Sequence, residues 1–138
     1  MRYGLLFAGT IALVGCGQKS YSKPVSVQAS ASPDQTYACV RKQLGELGYK
    51  QSSLDTPELR ITANKIDNET RRPDVQFRRM VEKLEVDVAA DANGGTSIQV
   101  LGRTFGEYST QRGPTEVEEN ASEQVKTDAQ TLMERCRS

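Results

Sequence analysis

Cysteine is the residue type in this 138-residue chain with the widest choice of chemistry, because a thiol can be acylated, oxidised or bound to a metal. The chain contains three cysteines, Cys16, Cys39 and Cys136, and no histidine. The commonest general base and metal ligand is therefore missing, and two cysteines alone make a poor zinc site. Neither Cys39 nor Cys136 lies in a CxxC motif, the usual setting of a redox thiol. The cysteines thus favour a structural role, and we predict neither a metal ion nor a cofactor.

Three acidic residues are the second group of side chains whose spacing could form a reactive site. Glu82, Glu85 and Asp87 lie along one predicted strand. A carboxylate site is the functional interpretation, and a solvated sheet face is the structural one, which we favour. The sequence has no serine in a nucleophile elbow and no glycine loop that joins a strand to a helix. We therefore predict that the protein is not an enzyme and has no catalytic residues.

Arginine residues form the one local charge bias in the chain. The four are Arg71, Arg72, Arg78 and Arg79. Guanidinium groups bind phosphate bidentately, so this cluster is a candidate site for lipid phosphate or an acidic partner. The alternative, which we favour, is a solvated excursion whose charges offset Asp67, Glu69 and Asp74. Across the whole chain 18 basic residues balance 18 acidic ones, and such a balance gives no electrostatic footprint for nucleic acid.

The start of the chain is apolar over a short distance. Arg2 is the only early positive charge, and residues 5–14 are apolar apart from Gly9 and Thr10. A helix of about ten residues crosses roughly half of the hydrocarbon core of a bilayer. This length is too short for a stable span and is typical of the apolar part of a secretory signal.

The run ends in the tetrapeptide Leu13-Val14-Gly15-Cys16, which resembles the lipobox of bacterial lipoproteins. In that family the cysteine receives a diacylglyceryl group, the signal is cut off before it, and the new amino terminus is often acylated. The resemblance implies that residues 1–15 are a cleaved signal peptide and that Cys16 is lipidated. Two or three acyl chains make membrane attachment practically permanent.

The residue after the cysteine bears on location. In Gram-negative sorting an aspartate there tends to retain a lipoprotein in the inner membrane, so Gly17 implies an outer-membrane anchor facing the periplasm. The alternatives are an ordinary signal peptide or an uncleaved anchor with a chance cysteine.

If lipid occupies Cys16, an oxidising envelope lets Cys39 and Cys136 form a disulfide. We predict this pair, with two buried free thiols or a metal pair as the alternatives.

The elements that must position these residues begin after a polar stretch. Residues 16–24 are predicted to be the lipidated cysteine and a flexible tether, and residues 25–138 a single domain. Alternation over residues 25–27 predicts a first strand. Ser32, Pro33 and Gln35 have the pattern of a helix start, and a helix is expected over residues 33–47.

Three further strands and a second helix follow. Alternating apolar residues predict strands over residues 59–63, 75–90 and 98–108, with a bulge near residues 82–83 where the apolar parity switches. The capping-box pattern of residues 115–118 predicts a second helix from residue 115 to the chain end. The expected fold is α+β: a β-α-β-β-β-α two-layer sandwich with two helices on one face of a four-stranded, mostly antiparallel sheet.

This element order is similar to that of the lipoprotein family that plugs the lipopolysaccharide-insertion barrel of outer membranes. It is also similar to small helix-grip domains of envelope lipoproteins. The stretch VSVQASASPDQTYACV resembles the strand-to-helix start of lipid-binding helix-grip folds. No binding residue is carried over from either family, because only the order of elements matches.

Two functions are compatible with these features. The leading hypothesis is a non-catalytic, membrane-anchored envelope lipoprotein that braces or binds another envelope protein or lipid through its sheet face or an edge strand. The alternative is a carrier of a lipid or small apolar ligand, which requires an apolar pocket of a few hundred Å³ between sheet and helices.

Overall fold

The computed structural model describes residues 21–138. The tetrapeptide that resembles a lipobox, with Cys16, lies outside these residues, so lipidation stays a prediction. Six strands and two helices follow one another in the order β1 (Val25–Ala29), α1 (Pro33–Glu46), β2 (Lys50–Asp55), β3 (Arg60–Asp67), β4 (Phe77–Ala90), β5 (Thr96–Thr110), β6 (Gly113–Glu119) and α2 (Glu123–Cys136). Neither helix in this part of the chain is long and apolar enough to cross a membrane.

The strands form one antiparallel sheet in the order β1-β5-β4-β3-β2, and β6 also pairs with β5. The long strand β5 has two partners along the same edge. Its residues 96–100 pair with β1, and its residues 104–110 pair with β6. Residues 101–103 of β5 lie between the two partners and pair with neither, which leaves a gap at this edge of the sheet.

Helix α1 begins as the sequence predicts. The Ser32 hydroxyl accepts a hydrogen bond from the Gln35 amide at 3.3 Å, and the Gln35 side chain accepts one from the Ser32 amide at 3.4 Å. This reciprocal capping box satisfies two free amide groups of the first turn. The helix ends at Glu46, and Gly48 just beyond its cap has a φ of +87°, which suits a residue without a Cβ.

The core lies between the helices and the side chains that alternate along the central strands. Both helices contact β4 and β5. The largest fully buried side chains come from all of these elements and from β3: Val40, Leu44, Ile61, Leu84, Ile98, Val100, Val125 and Leu132. Since β-strand side chains alternate between faces, the neighbours of these residues in β4 and β5 point to the opposite face of the sheet.

A disulfide joins the two helices and confirms the predicted pair. Cys39 of α1 and Cys136 of α2 are bonded with an S–S distance of 2.07 Å and a Cα–Cα distance of 5.7 Å. Cys136 is buried against the core. The bond therefore connects the first helix to the last one across a sequence separation of 97 residues.

The predicted number of four strands is wrong, because β2 and β6 were not expected. All six residues of β2 are exposed, so this strand shows no apolar alternation. Residues 113–119 form β6 instead of the start of the second helix, because they pair with the end of β5. Helix α2 starts at Glu123, where the Ser122 hydroxyl accepts a hydrogen bond from the Val125 amide at 3.1 Å.

The predicted bulge near residues 82–83 is also wrong. The ladder between β4 and β5 is continuous from Arg79 to Ala90, and its register shift lies between Phe77 and Arg79. The parity of the apolar pattern changes for another reason. Val81 and Glu82 are both buried although they point to opposite faces, so β4 is covered on both sides at this point.

Candidate functional site

An apolar groove lies between α2 and the chain segment that enters β1. It has a volume of about 660 Å³ and is partly open to solvent. The residues that give it its apolar character are Tyr21, Val25, Gly102, Ala121, Ala129 and Met133. The groove adjoins the gap at the edge of β5, where no strand of the described chain fills the space between β1 and β6.

Small residues create the groove from below. A Cβ atom placed on Gly102 would lie 3.2 Å from Cγ2 of Val125, so the absent side chain lets α2 pack directly on β5. Along α2 the residues that line the groove recur at Lys126, Ala129 and Met133, the spacing of one helix face. Alanine in the middle of this face leaves room that a larger residue would fill.

The segment before β1 forms the outer wall. The Ala121 amide donates a hydrogen bond to the Tyr21 carbonyl at 3.2 Å, which holds the segment against the start of α2. Tyr21 and Val25 keep 37% and 44% of their surface exposed. Two cations stand at the groove, Lys23 and Lys126, and the latter pairs with Glu123 at 2.9 Å.

The acidic residues of β4 separate into two environments. Glu82 points to the helices and is buried. Its carboxylate accepts hydrogen bonds from the Thr104 hydroxyl at 2.5 Å and the Ser122 hydroxyl at 2.8 Å, while the Thr104 hydroxyl accepts one from the Ser122 amide at 2.9 Å. The expectation of a solvated face is therefore wrong for Glu82, whose carboxylate fixes the first turn of α2.

Glu85 and Asp87 lie on the opposite, solvated face, as predicted. The Arg103 guanidinium bridges Glu85 at 3.1 Å and Glu118 at 2.9 Å, and Arg60 pairs with Asp87 at 2.7 Å. The hydrogen bond from Arg103 lowers the pKa of the Glu118 carboxyl. The three acids of β4 thus never meet in one site.

The predicted arginine cluster is divided between separate partners. Arg72 binds both carboxylate oxygens of Glu119 and donates to the Tyr108 hydroxyl at 2.9 Å. Its guanidinium also lies 4.8 Å from the centre of the Phe77 ring. The hydrogen bond from Arg72 holds the pKa of the Glu119 carboxyl below its usual range. This cation is therefore already paired.

The other three arginines are engaged elsewhere. Arg78 and Arg79 approach the buried Glu107 carboxylate at 3.7 and 3.1 Å, and Arg71 donates to the backbone carbonyls of Asn68 and Thr70. An anion would have to displace these partners before it could bind. The structure brings the four arginines to no common point, and anion binding at them stays a prediction.

Asp128 is a further buried carboxylate, not predicted from the sequence, and it fastens α2 to the sheet. Asp128 accepts hydrogen bonds from the Tyr49 hydroxyl at 2.9 Å, Lys65 at 3.3 Å and Gln124 at 2.8 Å. Burial, followed by the hydrogen bond to Asp128, raises the pKa of the Tyr49 phenol. The only sequence signal is Tyr49 directly after the helix-ending Gly48, since Asp128 lies among polar residues in the sequence.

The described residues combine an apolar groove with buried acids that already have hydrogen-bonding or ion-pair partners. Within residues 21–138 no group of three or more acidic or cysteine side chains could hold a metal ion. The buried acids Glu82 and Asp128 accept hydrogen bonds that fix α2, and the buried Glu107 pairs with Arg78 and Arg79. The groove is lined mainly by apolar side chains. No protein-family model matches the chain, and no curated protein is similar to it.

Proposed function

We propose that this protein is a lipid-anchored, non-catalytic protein of the bacterial cell envelope whose domain binds an apolar chain in the groove beside α2. The lipobox-like tetrapeptide that ends at Cys16 supports the anchor. The groove supports the binding function, and it is the observation that carries the proposal. Its volume of about 660 Å³ lies within the 300–1,000 Å³ that is usual for ligand sites.

The position of the groove fits this function. The Tyr21 carbonyl is held by the domain, and only residues 17–20 separate Tyr21 from Cys16 in the sequence. The Cα atoms of Cys16 and Tyr21 can then be at most about 18 Å apart. The groove, which Tyr21 lines, is thus kept close to the membrane, where acyl chains are abundant.

A photoreactive residue at Gln130 tests this function. Gln130 lines the groove and is exposed, so its replacement should leave the fold intact. The full-length protein is prepared from cells fed with an alkyne-bearing fatty acid, transferred to detergent-free buffer and irradiated. We expect an alkyne-labelled acyl chain, free or covalently attached, to be crosslinked at this position.

Two matched variants make the test specific. Val25 of β1 lines the groove and is 44% exposed. Val117 of β6 is 51% exposed and does not line the groove. Val25→Glu places a carboxylate against the ligand and should reduce crosslinking about tenfold, which corresponds to about 1.4 kcal/mol. Val117→Glu should leave it unchanged. Equal crosslinking in both variants, or none in the unmodified groove, would refute the proposed function.

A brace is the second candidate, and the edge strand β2 favours it. This strand pairs only with β3 among the described residues, and all of its side chains are exposed. An exposed edge accepts a further strand from a partner. In this arrangement the helices and sheet act as two layers, and the partner extends the sheet. A photoreactive residue at Ser53 of β2, irradiated in intact cells, tests the brace. Capture of an envelope protein at Ser53 would support it. Equal capture of that protein from the exposed control position Thr127 would refute it.

A further inference from the structure

We propose that the groove beside α2 holds an acyl chain of the lipid on Cys16 of the same molecule whenever the anchor is outside a bilayer. This inference rests on the proposed function, because it names the occupant of the same groove. The proposed occupant is a covalently attached acyl chain, and the groove is its shelter in water.

The reach of the chain supports this occupant. Tyr21 both begins the described chain and lines the groove, and only residues 17–20 separate it from Cys16. The attachment point is therefore within about 18 Å of the Tyr21 Cα atom. A ligand joined through so short a spacer has an effective concentration in the millimolar range. It would outcompete free amphiphiles that are present at lower concentration.

The dimensions of the groove fit one acyl chain. The face of α2 that lines the groove runs from Lys126 to Met133, about 10 Å along the helix axis at 1.5 Å per residue. Ala129 in this face and Ala121 just before the helix both line the groove, so the lining has small apolar side chains at both positions. Among residues 21–138 no acidic side chain lines the groove, so no carboxylate of the described chain faces the ester oxygens of a glyceryl group at the rim.

The bilayer remains the stronger host for the same chain. A membrane removes the whole acyl chain from water, whereas the groove is partly open to solvent and covers only part of it. The groove is therefore occupied in the aqueous state and empties when the anchor inserts. It acts as an intramolecular competitor that limits aggregation of the lipidated protein between its processing and its insertion.

The experiment uses full-length lipidated protein with the photoreactive residue at Gln130, and at Thr127 as the control. Thr127 is exposed on the same helix and does not line the groove. The protein is irradiated in detergent-free buffer, and the species with the mass of one chain is isolated and digested. In this digest we expect the α2 peptide to be joined to the lipid of the Cys16 peptide. The yield should be at least tenfold lower at Thr127. Insertion into vesicles of phosphatidylethanolamine and phosphatidylglycerol before irradiation should lower the yield at Gln130 at least fivefold.

Each other outcome has a separate meaning. A crosslink to a free phospholipid, or to the lipid of a second copy, overturns this inference but leaves apolar-chain binding in place. An intact mass without lipid on Cys16 overturns both the inference and the anchor. No crosslink at Gln130, repeated with the reporter at Met133, overturns the inference together with the groove function. A yield that does not fall on vesicle insertion overturns the proposed shelter.

Discussion

Replacing Glu82 by glutamine is the sharpest test of how the helix that lines the groove is held. The carboxylate of Glu82 is the common acceptor of the Thr104 and Ser122 hydroxyl groups. These hydroxyls already accept hydrogen bonds from the Ser122 and Val125 amides, so each must donate its proton to the carboxylate. Glutamine offers one oxygen and one amide group, and one of the two hydroxyl protons loses its acceptor.

The size of the effect follows from these contacts. A buried donor without a partner costs about 1–3 kcal/mol, and the loss of a negative charge beside the first turn of α2 costs about 0.3–1 kcal/mol more. We therefore expect Glu82→Gln to lower the free energy of unfolding by about 2–3 kcal/mol. For a domain of this size that is a fall in the melting temperature of roughly 10 °C.

Urea unfolding followed by circular dichroism measures this difference. Glu85→Gln is the matched control, since Glu85 lies on the same strand but makes an exposed ion pair with Arg103, and such pairs contribute about 0–1 kcal/mol. If Glu82→Gln proved no more destabilising than Glu85→Gln, the carboxylate would not hold α2 and the reasoning would be refuted.

Three further predictions concern the rest of the fold. Reduction, or joint replacement of Cys39 and Cys136 by alanine, should cost about 4–5 kcal/mol, because the bond closes a loop with a sequence separation of 97; an unchanged melting temperature in reductant would contradict this. Because the pKa of Glu119 is depressed in the folded state, its stabilisation is present above about pH 4.5 and is lost as the pH falls. Arg72→Ala should reduce the difference between the free energies of unfolding measured in urea at pH 7 and at pH 3.5. An equal difference in the variant and the unmodified protein would contradict this. Because the pKa of Tyr49 is raised, its stabilisation is present below about pH 10 and is lost at higher pH. Tyr49→Phe should cost about 1–2 kcal/mol at pH 7 and weaken the alkaline loss, and a variant as sensitive to alkali as the unmodified protein would refute this.

Local signals in the sequence were sufficient for α1 and for the disulfide. The start of α1 is set by Ser32, Pro33 and Gln35, which act within one turn, and its end by Gly48. The pairing of Cys39 and Cys136 followed from counting cysteines once Cys16 was assigned to lipid. Neither inference needed knowledge of how distant strands pair.

The error over β6 shows where local signals fail. Thr115, Glu116 and Val117 match a helix start as well as they match a strand, and Val117 is 51% exposed in the folded chain. Pairing with the far half of β5 decides the conformation. That pairing depends on the length of β5, for which the sequence pattern has no direct marker.

The groove could not be predicted for the same reason. It exists because β1 and β6 share one edge of β5 and leave a gap between them. Gly102 admits α2 closely to β5, and the residue type alone does not indicate which element approaches it. Glu82 was assigned to the wrong environment because the apolar pattern around it was interpreted as a bulge.

The disulfide between α1 and α2 also limits how far the domain can yield under tension. A pull on the chain before Tyr21 acts along β1, whose five residue pairs with β5 resist it in shear. If the load acts between the chain before Tyr21 and the C-terminal end of α2, the disulfide transmits the force directly from Cys39 to Cys136 once β1 is detached. The extra extension from residues 21–38 would then be limited to about 60 Å. The sheet between the two cysteines would carry none of that load.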